Sequence, residues 1–153
     1  MRLTASEHVA APMGAVWAKL FDPDRLEAFA RQRDPAMVRT PPGPVGPGTR
    51  WDMRLPVQGK ERDVALELTA LDPPHRADLS AGIEGMVLLG TVALVAEGTG
   101  TRIDLTVDAT ARGFAGRLVL KAVSLAQGQI ERTLRARIAD MARRIEAEAA
   151  SDP

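Results

Sequence analysis

Residues 102–109 read Arg-Ile-Asp-Leu-Thr-Val-Asp-Ala. Ile103, Leu105, Val107 and Ala109 fall on one side of an extended chain, and Arg102, Asp104, Thr106 and Asp108 on the other. A period of two with one apolar and one polar face predicts a strand in an antiparallel sheet that is wetted on one side. The same alternation sets Trp51, Met53 and Leu55 against Arg50, Asp52 and Arg54, and Val64, Leu66 and Leu68 against Asp63, Ala65 and Glu67. Residues 2–9 alternate more loosely, and residues 76–82 predict a short strand with Ala77 and Leu79 inward. Residues 85–97 are nearly all apolar, so they predict a strand whose two faces the pattern does not separate. Met37–Thr40 adds a short strand, and Asp72–His75 and Gly98–Thr101 are turns.

The period changes to that of a helix in two places. Pro12 opens a first helix, in which Val16 and Leu20, and Trp17 and Phe21, recur at four-residue spacing. Asp22 caps a second short helix that begins at Pro23 and puts Leu26 and Phe29 on its buried side. Pro41–Gly48 sets three glycines among its prolines, cannot pair in a sheet centre, and predicts a stiff surface loop within one domain. From Gly113 to about Glu148 there is no proline, and Ile130, Leu134, Ile138, Met141 and Ile145 step by four, four, three and four. Val123 and Gln127 extend that stripe backwards. The stripe predicts one helix of about 30 residues, roughly 45 Å long. Such a helix can cover the apolar side of a curved sheet, burying Ile130, Leu134, Ile138 and Met141 against Ile103, Leu105 and Leu66.

Composition narrows the class. A chain of 153 residues fits a single domain, taken as residues 1–150. Twenty Lys and Arg balance twenty Asp and Glu, which argues against nucleic-acid binding through bulk electrostatics. There is no cysteine, hence no disulfide, thiolate metal site or cysteine nucleophile. The first eight residues are too polar for a signal peptide, and no apolar run approaches the roughly 20 residues that span a bilayer. These features predict a soluble protein of the bacterial cytoplasm with no integral membrane segment. Aromatic residues make up only 3%, so the core must be built from Leu, Val, Ala and Met.

"APMGAVWAKLFDPDRLEAF", "LTALDPPHRADL", "GTGTRIDLTV" and the final helix occur in the order strand, two short helices, antiparallel strands, long helix. In these pieces the chain resembles the START-like (SRPBCC) superfamily, in its polyketide cyclase/dehydrase and carbon monoxide dehydrogenase (G-type subunit) branches. The resemblance covers nearly the whole chain. It implies an α+β helix-grip fold: a curved antiparallel sheet of six to seven strands wrapped around a long C-terminal helix, with two short helices after strand 1. It implies that those helices plug one end of the sheet, with Trp17, Leu20, Leu26 and Phe29 closing a cavity. It also implies an apolar ligand such as a lipid, polyketide or sterol, although the superfamily includes enzymes and fold alone does not decide.

The chemistry-bearing residues are sparse. His8 and His75 have no His-x-x-x-His or His-x-His spacing, so no metal site is expected. Ser6, Ser80, Ser124 and Ser151 lack a nucleophile-elbow motif, and the two Gly-rich tetrapeptides lack the lysine and helix of a phosphate loop. No catalytic residue is assigned and no cofactor is expected. The predicted ligand-binding residues are Trp51, Met53, Leu66, Leu79, Leu105 and Val123, with Arg62 and Gln127 as polar groups. Arg62 is in phase with Val64 and Leu66, which points it either to the cavity mouth, where it suits a carboxylate, or to water at the strand end. Gln127 shares the inner helix face, either as a ligand contact or as an amide satisfied by backbone. Phe114, Leu118 and Leu125 lie opposite the main helical stripe, and with Met86–Gly90 they form surplus apolar surface. That surplus marks an entrance, a membrane contact or a homodimer interface, the last being the partner expected. Arg132, Arg135, Arg137, Arg143 and Arg144 alternate with Glu131, Asp140 and Glu146, as on a solvated face. The leading expectation is a binding protein for a small apolar or amphipathic molecule, lipid, polyketide or quinone-like. A polyketide cyclase, aromatase or dehydratase is the second, and a non-catalytic interaction or maturation module the third.

Overall fold

The computed structural model describes residues 1–57 and 59–151. β1 (Arg2–Val9) is followed by α1 (Met13–Leu20), α2 (Pro23–Arg33) and β2 (Val38–Thr40). Then come β3 (Arg50–Val57), β4 (Lys60–Asp72), β5 (Arg76–Ile83), β6 (Met86–Glu97) and β7 (Gly100–Ala111), and finally α3 (Gly113–Leu125) and α4 (Gln127–Ser151). The seven strands form one antiparallel sheet in the order β1-β7-β6-β5-β4-β3-β2. This is the predicted helix-grip architecture.

Register settles the faces that the apolar run of β6 left open. Leu94 pairs with Ile103, Val92 with Leu105 and Leu88 with Ala109, so Leu88, Val92 and Leu94 share the inner face. Leu89 and Val95 then point outward, and both are exposed. The inner face continues through Leu79, paired with Leu68, and through Leu66 and Val64, paired with Trp51 and Met53. Glycine is required where the turn between β5 and β6 meets α3. A Cβ on Gly116 would run into the Gly85 carbonyl, and the Arg112 N–H donates to that same oxygen over 2.6 Å.

The core sits at the α1 end of the sheet, where Val9, Val16, Leu94 and Ile103 meet Ala142 and Ile145. α4 packs along β1 and against α1. Burial on α4 therefore falls on Ile138, Ala142 and Ile145, while Ile130 and Leu134 are half-buried and Met141 is exposed. The expected contact of that stripe with the centre of the sheet is corrected accordingly. Along the middle of the inner face, Leu66, Leu79, Leu88, Leu105 and Val107 are only half-buried.

The single helix of about 30 residues is also corrected. Ala126 leaves the helical ladder, with φ −98° and ψ 9°, and its N–H turns back to the Val123 carbonyl over 3.1 Å. The break lies between two anchors. α3 is held at Gly85, while the Gln127 side chain donates to the Arg2 carbonyl over 3.1 Å and starts α4 on β1. α4 alone still runs for 25 residues. Among the described residues no helix is long and apolar enough to cross a membrane.

Candidate functional site

A cavity of about 220 Å³ lies between α1–α2 and strands β3, β4 and β5. Local sequence explains how its walls are placed. The Asp22 carboxylate accepts the Arg25 N–H over 3.3 Å and Pro23 occupies the first turn of α2. α2 thus starts afresh after the two residues that follow α1, and Pro23, Leu26, Glu27 and Ala30, spaced three and four apart, form its cavity face. From α1 and the residue that caps its end come Trp17 and Phe21, whose ring centroids are 4.2 Å apart at a 32° tilt. Arg25 places two hydrogen bonds of 3.1 and 3.3 Å on Glu148, and Lys19 lies 3.6 Å from the same carboxylate. The Arg25 hydrogen bond, with the nearby positive charges, holds the Glu148 carboxyl below its ordinary range.

The Pro-rich loop is folded back on β4. Gly48 N–H donates to Leu68 O over 2.7 Å, Leu68 N–H to Thr49 O over 3.0 Å, and Gly46 N–H to the buried Thr49 hydroxyl over 3.0 Å. These bonds carry Val45 onto the cavity wall. The loop lies mostly on the surface as expected, with Val45 reaching the cavity wall. The sheet floor is Trp51, Met53, Leu66, Leu68, Leu71 and Leu79.

One carboxylate lines this apolar space among the described residues. Glu27 is 13% exposed, and its Oε1 accepts the Trp51 indole N–H over 2.8 Å and lies 3.2 Å from Arg39 Nε. An acid on an apolar helix face, four residues after Pro23 and three before Ala30, is the available sequence signal.

Of the predicted site residues, Trp51, Met53, Leu66 and Leu79 come together in this cavity. Leu105 is half-buried on the inner face of β7, and Val123 is buried on α3; neither lines the cavity. Gln127 is engaged by the Arg2 carbonyl and by Glu131 over 3.2 Å. Arg62 does lie on the inner side, paired across the ladder with Leu55, but its guanidinium is joined to the Glu84 carboxylate and to the Val57 carbonyl. Leu20 packs on the core cluster instead of the cavity. Phe29 is 53% exposed, with the Arg33 guanidinium 4.0 Å above its ring, so it does not close the site. His8 is exposed with Nδ1 2.9 Å from Glu97, and His75 sits exposed after β4. Among the described residues no cluster of three or more His, Cys, Asp or Glu could hold a metal.

A wider depression of about 680 Å³ opens beyond the turn between β5 and β6. Part of its rim is paired within itself: Asp34 accepts the Arg54 backbone N–H over 2.7 Å and the Arg54 side chain lies 3.8 Å from Asp63. It is more open than the cavity beneath α2, and it mixes apolar side chains such as Val38, Ile83 and Met86 with Asp52, Glu84 and Arg112.

Solved structures share this fold across the whole chain. TTHA0849 from Thermus thermophilus aligns with a TM-score of 0.66 at 19% identity, covering 99% of this chain and 100% of that one. Protein Ms6760 from Mycobacterium smegmatis gives 0.60 at 22%, covering 99% and 92%. Ara h 8.0201 gives 0.58 at 16%, covering 99% of both chains. A comparison with curated proteins gave no match. The family model described as polyketide cyclase/dehydrase and lipid transport matches residues 1–146, and the chain belongs to that family.

Proposed function

We propose that the protein is a cytoplasmic binding protein for a small apolar or amphipathic molecule of lipid, polyketide or quinone type, held between α1–α2 and β3–β5. The observation that carries this reading is the enclosure itself: about 220 Å³ walled by aliphatic and aromatic side chains, with a single carboxylate among the described residues. Ligand pockets are mostly apolar with a few placed polar groups, and commonly run from about 300 Å³ upward. A cavity somewhat below that size suits one or two fused rings or the end of a chain. The family's lipid-transport description supports the same class of ligand. Cyclisation needs groups that move protons at the substrate. Among the described residues Glu27 is the one titratable side chain on the cavity wall, and both histidines lie elsewhere, which favours binding over turnover. Native mass spectrometry of protein purified from its own host tests this: a co-purifying apolar molecule, released on unfolding, is expected. A chain free of adduct that also fails to bind any apolar probe would leave the interaction-module reading.

A second copy of the chain is the proposed partner of α3. Phe114, Leu118 and Leu125 are 76%, 55% and 85% exposed, an apolar stripe that water alone covers in the single chain. Sedimentation equilibrium is expected to report a dimer that Leu118→Ser with Leu125→Ser converts to monomer. A wild-type monomer at high concentration would remove this partner.

A further inference from the structure

The inference drawn from the cavity concerns which molecules it accepts, and it rests on the ligand-binding reading above. We propose that Glu27 is the polar anchor of the cavity, selecting a neutral ring ligand that donates a hydrogen bond, a phenol or an alcohol, over a carboxylate. Two groups hold Glu27 in place. Trp51 Nε1 donates to Oε1 over 2.8 Å, and Arg39 Nε lies 3.2 Å from the same atom. Both contacts use Oε1, which leaves Oε2 without a hydrogen bond among the described residues. Among those residues no buried side-chain oxygen or nitrogen lacks a partner, so Oε2 has accessible surface. A carboxylate oxygen accepts hydrogen bonds and donates none. The group that satisfies Oε2 must therefore bring its own N–H or O–H. The remaining described wall has no cation to attract an acid: Arg39 is not among the lining residues, and Arg62 is engaged by Glu84. An anionic ligand would bring acceptors to a wall whose described polar group is itself an acceptor, with the nearby Arg39 already held by Glu27. This anchor is distinct from Arg62, which pairs with Leu55 toward the other end of β3.

The two tryptophans that line the cavity add a fit for flat rings, since aromatic pairs are favoured in stacked and tilted arrangements. A bicyclic phenol brings both features, and three naphthalenes of similar size separate them. Isothermal titration calorimetry at neutral pH with 2-naphthol, 2-methoxynaphthalene and 2-naphthoate is the experiment. The expected order is 2-naphthol tightest, the methyl ether about tenfold or more weaker for want of the donor, and 2-naphthoate weakest. In Glu27→Gln the amide oxygen keeps the Trp51 N–H and turns an NH₂ donor toward the ligand. The preference for naphthol over its ether is then expected to vanish, and naphthoate to gain about tenfold. Equal affinity of wild type for naphthol and its ether, or an unchanged ratio in Glu27→Gln, would overturn the anchor and leave the cavity reading standing. No binding of any of the three would overturn the cavity reading and the anchor together. The wild-type series decides by itself if the variant fails to fold.

Discussion

Trp51 on β3 and Glu27 on α2 meet over 2.8 Å, indole N–H to carboxylate oxygen, although 24 positions separate them in the chain. That bond ties the plug helix to the sheet across the wall of the cavity. α2 has no buried residue of its own, so its position depends on such cross-links and on Arg25–Glu148. A side chain that only fills space cannot replace the bond. Trp51→Phe is expected to lower stability by about 1–3 kcal/mol, the cost of leaving a largely buried acceptor short of a donor. Urea denaturation measures this, and an unchanged midpoint would show that α2 is held without it.

Two glycines make opposite predictions. Gly116 has Gly85 against the place its Cβ would occupy, whereas Gly14 in α1 has nothing within 4 Å. Gly116→Ala is expected to destabilise by about 1–3 kcal/mol, because backbone must move. Gly14→Ala is expected to stabilise by about 0.5–1 kcal/mol, through helix propensity and reduced freedom of the unfolded chain. Thermal melts of the two variants check both signs.

The position of α4 can be tested in the same way. Ile145 is 3% exposed within the core cluster, and Leu134 is half-buried on a surface groove with Ile130. Ile145→Ala is expected to cost about 2–5 kcal/mol and Leu134→Ala distinctly less, since a groove open to water leaves no sealed void. Equal costs would place α4 over the sheet centre instead of along β1.

Acid is expected to weaken the outer face of the sheet. Asp104 takes a hydrogen bond from Arg102 over 2.9 Å and another from Ser6 over 2.7 Å. The Arg102 bond above all holds its carboxyl below the ordinary 3.8, as Arg76 does for Asp78 and Arg2 for Asp108. A depressed folded value means that the unfolded chain binds protons first as pH falls. The stability these groups add is present above about pH 5 and is lost as pH drops through and below the ordinary value. Tm is expected to fall across that window. Asp104→Asn is expected to lower Tm at pH 7 and to converge with wild type near the acid end. A constant gap at all pH values would show that Asp104 acts through packing.

The strands are legible in the sequence because their alternation is strict: Ile103, Leu105 and Val107 can face only one way once one side is polar. β6 is not, since Val87 to Val95 are apolar on both faces, and only pairing with β5 and β7 separates them. The cap of α2 is legible in Asp22 and Pro23. The break at Ala126 is marked only by Gly128, two residues on and inside the first turn of α4; its position comes from anchoring at Gly85 and at Arg2. The sheet half of the cavity follows from the in-phase residues Trp51, Met53, Leu66 and Leu79. Its other half depends on where α2 and the Pro-rich loop pack, which local period does not contain. That is why Met37 and Val45 carry no mark in the pattern, why Glu27 is marked only as an acid on an apolar helix face, and why a helix stripe that serves packing on β1 draws Leu105, Val123 and Gln127 toward a site they do not line.

Methyl-resolved NMR during titration with 2-naphthol tests the central claim most directly. Met37, Met53, Leu66 and Leu79 line the cavity, while Leu118 and Leu125 stand apart from it on α3. Saturable shifts at the first four with one common affinity, and none at Leu118 or Leu125, are the predicted result. Shifts that never saturate, or that centre on Leu118 and Leu125, would contradict a ligand site between α1–α2 and the sheet.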